Sequence, residues 1–318
     1  MKDHVTTLLT PPAVPSGAGV RVIASASFAR PERVERGLSQ LRALGLAPHL
    51  GLHALARGPL FFAGPAQQRL DDLHAAFTDP DSSAVLCMRG GYGSNYLLDG
   101  LDLNLIRQHP KPFFAYSDLT GIQLRLLDKI GLPAFHGPMV AADFYLDDGV
   151  HQPSFHAALA GRPYSVGPAQ GLRLLKRGTA TGPASGILYG GCLSILVALI
   201  GTPYEPHTEG KLLFIEDTGV KPYQLDRMLW QLRNAGKLEG VRGILFGEML
   251  DCVSPGADPQ LLEETILRFF DSFNGPIAIG LHSGHVSRQN VTLTFGVAAE
   301  LHTGDEPELR VLEPAVTP

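Results

Sequence analysis

The chain has 318 residues, a length that favours two domains, although a single large α/β unit would also fit. Hydrophobic residues make up 44% and charged residues 18% of it, which is typical of a globular protein and excludes a disordered one. The formal net charge of -5 provides no broad positive field, which argues against nucleic acid and anionic membranes as partners.

Several features favour the cytoplasm. The cysteines are widely spaced and form no Cys-x-x-Cys pair, which argues against a disulfide framework or a zinc ribbon; they are Cys87, Cys192 and Cys252. The first residues, MKDHVTTLLTPPAVPSG, have too short an apolar stretch for a secretory signal, so we expect a mature cytosolic start. The apolar run from Gly186 to Gly201 approaches the length of a membrane span, but its paired glycines favour a buried turn and helix.

In the first half of the chain, short apolar runs alternate with amphipathic stretches. GVRVIASAS precedes PERVERGLSQLRALG, SSAVLCMRG follows later, and KPFFAYS leads into DLTGIQLRLLDKIG. Pro31 suits the first turn of the first helix and Gly45 its end. The alternation predicts a parallel sheet covered by helices.

Between about Gly149 and Thr181 the periodicity fades into a stretch rich in Gly and Pro, which we interpret as a linker. The alternation then resumes with KLLFIE, KPYQLDRMLWQLRNAG, VRGILFGEM, PQLLEETILRFFDSF and GPIAIG, and it ends in the strand-like VTLTFGVAAEL. We therefore expect an α/β fold with an N-terminal domain over residues 1–165, carrying a turn like a nucleophile elbow, and a C-terminal α/β domain over 166–318.

Ser117 is the first candidate for chemistry. It stands where a strand-like run gives way to a helical period, and Asp118 and Thr120 suit the first turn of that helix. Such a corner lifts a hydroxyl out of the sheet and points backbone N–H groups toward whatever the serine attacks. Ala115 and Leu119 stand where the common G-x-S-x-G pattern has glycines, so spacing alone favours Ser117 as a helix N-cap.

The glycine-rich turn RGGYG follows another apolar run. Gly90, Gly91 and Gly93 allow the backbone to approach a ligand closely. The spacing matches neither G-x-G-x-x-G nor the G-x-x-x-x-G-K-[ST] loop, so a phosphate cradle, a source of oxyanion donors and a plain turn all stay open. Arg89 could hold a substrate carboxylate through a bidentate pair.

Glu216 and His285 each follow a predicted strand of the second half. A carboxylate at the end of KLLFIE needs a partner, which could be a histidine or a structural cation such as Arg227 or Lys211. His285 lies in a loop after PIAIG, where it could be a general base or an ordinary surface histidine. His282 raises metal binding as an alternative, but no HExxH arrangement or third ligand accompanies the pair.

Each of these residues is a weak signal alone, but the serine, the carboxylate and the histidine all stand at the C-terminal edge of a predicted strand. Triads are recognised by roles and not by order in the chain. In a triad, Ser117 would attack the scissile carbonyl and His285 would transfer its proton. Glu216 would orient the imidazole and stabilise its charged form.

The same segments resemble the LD-carboxypeptidases, the muramoyl-tetrapeptide carboxypeptidase family that also contains the microcin C self-immunity peptidases. The similarity runs along most of the chain, with landmarks at RGGYGSNYLL, YSDLTGI, HGPM, YGGCLSILVALIGTPYEP, LLFIEDTGVKPYQLDRML and SGH. The resemblance implies a serine peptidase with Ser117, Glu216 and His285 as its triad. It also implies an oxyanion hole formed by the amides of Asp118 and Gly91.

The resemblance implies a substrate as well, a cytoplasmic murein tetrapeptide cut before its terminal D-alanine during wall recycling. No metal or organic cofactor is implied, and because relatives often form dimers we expect a homodimer. One departure from the family pattern is Cys192, where an asparagine is usual; a small apolar residue replaces two donors and an acceptor. Cys192 as the nucleophile is a remote alternative, since no histidine shares its motif.

Two other functions stay open. In the immunity branch of the family, the substrate is an acyl-nucleotide or another peptide conjugate. A non-catalytic α/β protein could instead hold a phosphate or a sugar in the glycine-rich turn, and in that case Ser117, Glu216 and His285 need not meet in space.

Overall fold

The computed structural model describes residues 7–317, so the predicted cytosolic start lies partly outside the described residues. Strands and helices alternate and form two sheets, which confirms the predicted α/β class. The strands are β1 (Gly19–Ile23), β2 (Ala47–Leu50), β3 (Ala84–Cys87), β4 (Phe113–Ala115), β5 (Ala134–His136), β6 (Tyr164–Val166), β7 (Arg173–Lys176), β8 (Ala184–Cys192), β9 (Lys211–Glu216), β10 (Gly243–Gly247), β11 (Ile277–Leu281), β12 (Leu293–Phe295), β13 (Ala298–His302) and β14 (Glu308–Val311). The helices are α1 (Pro31–Ala43), α2 (Ala66–Thr78), α3 (Leu103–Gln108), α4 (Thr120–Ile130), α5 (Gln152–Ala160), α6 (Leu193–Ala198), α7 (Pro222–Asn234) and α8 (Leu261–Phe269).

The described residues form two compact units. The first contains residues 7–162, 288–296 and 314–317, and the second contains residues 163–287 and 297–313. From the sequence we expect two continuous domains, 1–165 and 166–318. The first unit also includes two segments from late in the chain, 288–296 and 314–317. The segment 288–296 belongs there because its strand β12 pairs with β5 through backbone hydrogen bonds.

The sheet of the first unit has the strand order β2-β1-β3-β4-β5-β12. Strands β1 to β5 run parallel, and β12 is antiparallel at one edge. Every residue of β3 and β4 is buried, as expected for central parallel strands covered on both faces. Because β3 and β4 are parallel neighbours, the RGGYG turn after β3 and Ser117 after β4 come together at one edge of this sheet.

The sheet of the second unit has the order β6-β14-β13-β8-β9-β10-β11-β7. Strands β8 to β11 run parallel, and antiparallel strands complete both sides. Strand β10 separates β9 from β11 and ends at Gly247. A glycine at this position leaves space beside the carboxyl ends of both neighbouring strands.

Two predictions of local structure are wrong. The stretch from Gly149 to Thr181 is not a plain linker, because it contains α5 and two edge strands, β6 and β7, whose backbone groups pair with β14 and β11. The run VTLTFGVAAEL is not one strand, because Gly296 breaks it with a φ of 97° and its two parts pair in different sheets. Local composition did not reveal these pairings, which depend on distant parts of the chain.

The apolar run from Gly186 to Gly201 forms the end of β8 and helix α6, in agreement with the predicted buried turn and helix. Within residues 7–317, no helix combines the length and the apolar character needed to cross a membrane.

Helix α1 approaches the backbone of the first unit closely at Gly37. A Cβ atom at Gly37 would overlap the carbonyl oxygen of Val140 and would lie 2.8 Å from a methyl carbon of the same residue. Glycine is a poor helix former, so its presence inside α1 costs about 1 kcal/mol relative to alanine. The close packing of α1 on the turn Val140–Phe144 outweighs that cost.

We expect Gly37→Ala to lower the free energy of unfolding by about 1–3 kcal/mol, because overpacking exceeds the gain in helix propensity. Urea denaturation of the purified protein measures the change. Ser39→Ala, an exposed position of the same helix, is the matched control and should leave stability unchanged or slightly higher. A Gly37→Ala protein as stable as this control would contradict the packing argument.

Candidate active site

Ser117 occupies the turn between β4 and α4 that the sequence predicts. Its φ of 65° lies in the left-handed region, which residues other than glycine rarely adopt and which costs about 1–3 kcal/mol to maintain. A 3-10 turn, Ser117–Leu119, follows, and α4 begins at Thr120 with Leu119 as its N-cap. The alternative that Ser117 caps the helix is therefore wrong. A strained serine between a strand and a helix has the backbone geometry of a nucleophile elbow.

The glycine-rich turn after β3 packs directly on Ser117. A Cβ atom at Gly90 would lie 2.8 Å from the Ser117 Cβ and 2.9 Å from its Oγ, so a side chain has no room there. Gly91 and Gly93 have φ values of 111° and 116°, which L side chains rarely adopt. Nη2 of Arg89 lies 3.8 Å from the position of a Cβ at Gly91. The fold thus brings these predicted site residues into one neighbourhood of the first unit.

Hydrogen bonds between Asp118 and Ser94 connect this turn to the elbow. Oδ2 of Asp118 accepts a hydrogen bond from the Ser94 amide at 2.8 Å, and the Ser94 hydroxyl donates to the Asp118 carbonyl at 2.6 Å. Burial raises the pKa of Asp118, while hydrogen bonds from Ser94 and Gly93 and the charge of Arg69 oppose that rise. The side chain of Asp118 therefore has a structural role. In an oxyanion hole, the backbone amide of Asp118 would be the donor.

Arg69 supports the same turn and was missed by sequence reasoning. Its side chain is buried, and Nη1 donates to the carbonyl oxygens of Ser25 at 3.0 Å and Gly93 at 2.8 Å. Burial lowers the pKa of Arg69, and the Asp118 charge opposes that shift. A signal was available in the sequence, because Arg69 and Asp72 both stand on the buried face of the amphipathic helix α2. Charged residues on such a face are rarely buried without partners.

In the second unit, Glu216 and His285 form a hydrogen-bonded pair. Nδ1 of His285 lies 2.7 Å from Oε2 of Glu216, and the backbone amide of His285 donates to the same oxygen at 3.0 Å. The Glu216 side chain is fully buried, and the His285 side chain is 22% exposed. A proton on Nδ1, donated to Glu216, leaves Nε2 as the basic nitrogen of the imidazole. The sequence left the partner of Glu216 open between a histidine and a structural cation, and this contact identifies the partner as His285.

Two glycines make room for the buried carboxylate. A Cβ at Gly247, the last residue of β10, would lie 2.7 Å from the Glu216 Cβ. A Cβ at Gly284 would lie 2.5 Å from the Glu216 carboxyl carbon, and Gly284 has a φ of 88°. Both positions must stay free of side chains for Glu216 to reach the loop that carries His285.

Cys192 ends β8 directly beside Glu216 in the register of the second sheet. Burial raises the pKa of the Cys192 thiol well above its usual value, and the charges of Glu216 and Asp217 raise it further. A thiol that resists ionisation is a poor nucleophile, which argues against Cys192 as the attacking group. The neighbouring Asp217 carboxylate accepts hydrogen bonds from the amides of Ser194 and Thr218, both at 2.8 Å.

The two histidines of the metal alternative have different neighbours. The amide of His282 donates to the Gln170 carbonyl at 2.9 Å, and its ring packs beside Gly171, whereas the His285 ring contacts Glu216. In the part of the chain that the structure describes, no group of three or more His, Cys, Asp or Glu residues is placed to hold a metal ion.

Comparison with protein families covers both units. A family model described as the LD-carboxypeptidase N-terminal domain matches residues 20–137, and a model described as the LD-carboxypeptidase C-terminal domain matches residues 185–301. The chain belongs to the LD-carboxypeptidase family. Ser117 and the RGGYG turn lie in the first matched range of this LD-carboxypeptidase homologue, and Glu216 and His285 lie in the second.

Individual relatives support peptidase activity. The chain is 38% identical over 310 residues to the probable murein peptide carboxypeptidase of Bacillus subtilis (strain 168), covering 96% of this chain and 95% of the relative. It is 33% identical over 302 residues to the murein tetrapeptide carboxypeptidase of Pseudomonas aeruginosa, covering 90% of this chain and 94% of that protein.

Solved structures show the same fold. A muramoyltetrapeptide carboxypeptidase from Oxalobacter formigenes is 26% identical, with a TM-score of 0.81 over 94% of this chain and 100% of that one. The microcin C7 self immunity protein MccF, in complex with aspartyl sulfamoyl adenosine, is 21% identical, with a TM-score of 0.88 over 97% of this chain and 99% of that one. At that identity the likeness to MccF concerns the fold alone.

We expect Arg69→Lys to lower the free energy of unfolding by about 1–3 kcal/mol, because a lysine cannot reproduce the guanidinium contacts and leaves a buried carbonyl oxygen without its donor. Denaturation with urea provides the measurement. Arg42→Lys is the matched control, because the Arg42 side chain is exposed at the end of α1. Equal stability of the two variants would show that the buried guanidinium does not hold the turn.

Proposed function

We propose that the chain is a cytoplasmic serine carboxypeptidase that hydrolyses the LD-peptide bond before a C-terminal D-amino acid, converting a murein tetrapeptide into a tripeptide and D-alanine in cell-wall recycling. The observation that supports the chemistry is the 2.7 Å contact between Nδ1 of His285 and the buried Glu216 carboxylate. The substrate class is inferred from relatives that are named murein peptide carboxypeptidases. We propose a homodimer as the working form and no cofactor.

In the proposed reaction, Ser117 Oγ attacks the carbonyl carbon of the scissile bond while Nε2 of His285 accepts the hydroxyl proton. The imidazolium then gives that proton to the departing amine of the D-amino acid, leaving an acyl-enzyme. A water molecule, deprotonated by the same nitrogen, releases the shortened peptide. Glu216 holds the ring in the required tautomer and stabilises its positive charge in both halves of the reaction.

The oxyanion of each tetrahedral intermediate would accept hydrogen bonds from the amides of Asp118 and Gly91. The hydrogen bonds between Asp118 and Ser94 support this assignment, because they fix the first of these amides relative to the turn that carries the second. Arg89, at the start of the turn, would pair with the C-terminal carboxylate of the substrate. Such a pair would make the enzyme a carboxypeptidase and not an endopeptidase.

The alternative substrate is an acyl-nucleotide conjugate, as in microcin immunity. The MccF structures are 20–21% identical to this chain and support only the fold, whereas the murein carboxypeptidases share 33–38% of its residues. Murein peptide is therefore the favoured substrate.

We expect Ser117→Ala to reduce kcat by about 10³-fold or more, because only binding and the oxyanion donors remain. Release of D-alanine from an L,D-tetrapeptide, followed by mass spectrometry, measures the loss, and circular dichroism checks the fold. Ser39→Ala, at an exposed site, should keep full activity. Near-normal turnover by Ser117→Ala would reject this nucleophile.

Glu216→Gln should reduce kcat by about 10²- to 10⁴-fold, because the amide can still accept hydrogen bonds but no longer stabilises the imidazolium charge. Both bonds from His285 go to a single oxygen, so the glutamine can preserve the position of the ring. Glu300→Gln is the matched control, since Glu300 contacts His302 at 2.9 Å in a partly exposed pair. Equal effects of the two substitutions on kcat would exclude a catalytic role for Glu216.

The substrate is tested by incubating the protein with an L,D-tetrapeptide, its L,L isomer at the last residue and an acyl-nucleotide conjugate. Mass spectrometry of the products should show rapid cleavage of the first alone. Preferential cleavage of the conjugate would establish the alternative function, and cleavage of none would favour a binding protein.

A further inference from the structure

Four aromatic rings form an exposed cluster beside the proposed catalytic turn, and we call them the aromatic wall: Phe61, Phe62, Tyr92 and Tyr96. Neighbouring ring centroids are 5.0 to 6.1 Å apart. Yet Phe61 is 44%, Tyr92 42% and Tyr96 58% exposed. Aromatic residues that contact one another usually do so in a core, so an exposed cluster of this kind marks a binding surface.

The wall is built into the turn that carries the proposed oxyanion donor. Tyr92 lies between Gly91 and Gly93, and its amide donates to the Ser27 hydroxyl at 3.1 Å. The Phe62 ring covers Gly93 so closely that a Cβ there would lie 2.6 Å from two ring carbons. The wall and the turn are therefore in direct contact through Phe62 and share the backbone of Tyr92.

The wall is also near the nucleophile. Gly90 packs on Ser117, and the Cα of Tyr92 is two residues further, at most about 7.6 Å from the Cα of Gly90. A peptide bound at Ser117 spans at most about 3.3–3.6 Å per residue, so a group carried three residues before the scissile bond lies roughly 10 Å away. A part of the substrate remote from the reacting bond can therefore reach the wall.

The arrangement of the rings favours a sugar as the group that binds there. Neighbouring planes meet at 63°, 79°, 83° and 88°, with one pair at 33°, so the wall mixes faces and edges and has no parallel slot for a flat base. The hydroxyl oxygens of Tyr92 and Tyr96 lie 3.5 Å apart at its surface. A pyranose offers apolar C–H faces to rings and hydroxyl or amide groups to phenols, which matches both properties.

We propose that Phe61, Tyr92 and Tyr96 bind the muramoyl sugar of a sugar-bearing murein tetrapeptide, so that the enzyme prefers muropeptides to free peptides. The proposal rests on the proposed function, because it assigns the sugar to the substrate of the same site. The wall is then a determinant of specificity, remote from the bond that is cut.

The test compares kcat/KM for an L,D-tetrapeptide with and without N-acetylmuramic acid on its amino end. The wild-type protein should prefer the sugar-bearing peptide, and Phe61→Ala and Tyr96→Ala should each reduce that preference about threefold to tenfold, mainly through KM. Tyr96→Phe, which keeps the ring, should retain most of the preference. Tyr223→Ala removes a similarly exposed aromatic of α7, 63% exposed, and is the matched control that should leave the preference unchanged.

A binding measurement separates this proposal from the proposed function. In a Ser117→Ala background, calorimetry with the N-acetylmuramoyl peptide and with the bare peptide should show tighter binding of the former, and that difference should shrink with Tyr96→Ala. This result would support the wall even if the protein cleaved neither peptide. Equal affinities for the two peptides would overturn the proposal while leaving hydrolysis untouched.

Two further outcomes would also overturn it. If the replacements weakened binding of an acyl-nucleotide conjugate more than that of the sugar-bearing peptide, the wall would be a base-binding surface. If Phe61→Ala or Tyr96→Ala changed the oligomeric mass measured by light scattering, the wall would be a contact between copies of the chain.

Discussion

The hydrogen bond between His285 and the buried Glu216 carboxylate is the interaction on which the proposed chemistry depends. Removing a carboxylate from water costs several kcal/mol, and only well-placed donors offset that cost. Here the ring and the amide of one residue both donate to a single oxygen. The carboxylate therefore fixes the ring orientation, and the ring in turn makes the burial of the charge tolerable.

The surrounding fold is shaped by this pair. Glu216 is the last residue of β9 and His285 lies in the loop after β11, and the strand between them has to end without a side chain for the two to meet. Gly247 satisfies that requirement, and Gly284 lets the loop pass over the carboxyl group. Gly247 is needed because of this close approach, whereas Gly284 is needed both for close approach and for its φ of 88°. A larger residue at either position would displace the charge it borders.

In the first unit, the constraint is the strained backbone conformation of Ser117. The strain is maintained by contacts from outside the elbow, namely the bonds between Asp118 and Ser94 and the guanidinium of Arg69 on Gly93. The buried charges of Asp118 and Arg69 partly compensate each other at this position. A rigid turn is what an oxyanion hole needs, because donors that are already oriented require no reorganisation during the reaction.

Much of this arrangement could be predicted from local sequence, and the remainder could not for definable reasons. The limits of α1 and the strand-to-helix corner at Ser117 follow from patterns within a few residues. The cost of an unpaired charge predicts that Glu216 has a partner, but it does not choose between a histidine and a cation, because His285 stands 69 residues away in the chain. The edge strands β6 and β7 and the break at Gly296 depend on pairing with distant segments, which composition does not encode. Arg69 was overlooked although its position on a buried helix face was a readable signal.

The glycine-rich turn takes part both in the proposed catalysis and in the proposed binding of the sugar. One end packs on the nucleophile and carries a proposed oxyanion donor, while Tyr92, one residue further, belongs to the aromatic wall. Binding energy from a remote part of a substrate speeds a reaction only when it is used to position the reacting bond. Hydrogen bonds to Ser27, Arg69 and Asp118 hold the turn, so a group bound on the wall would be placed on the same fixed segment as the amide beside the serine.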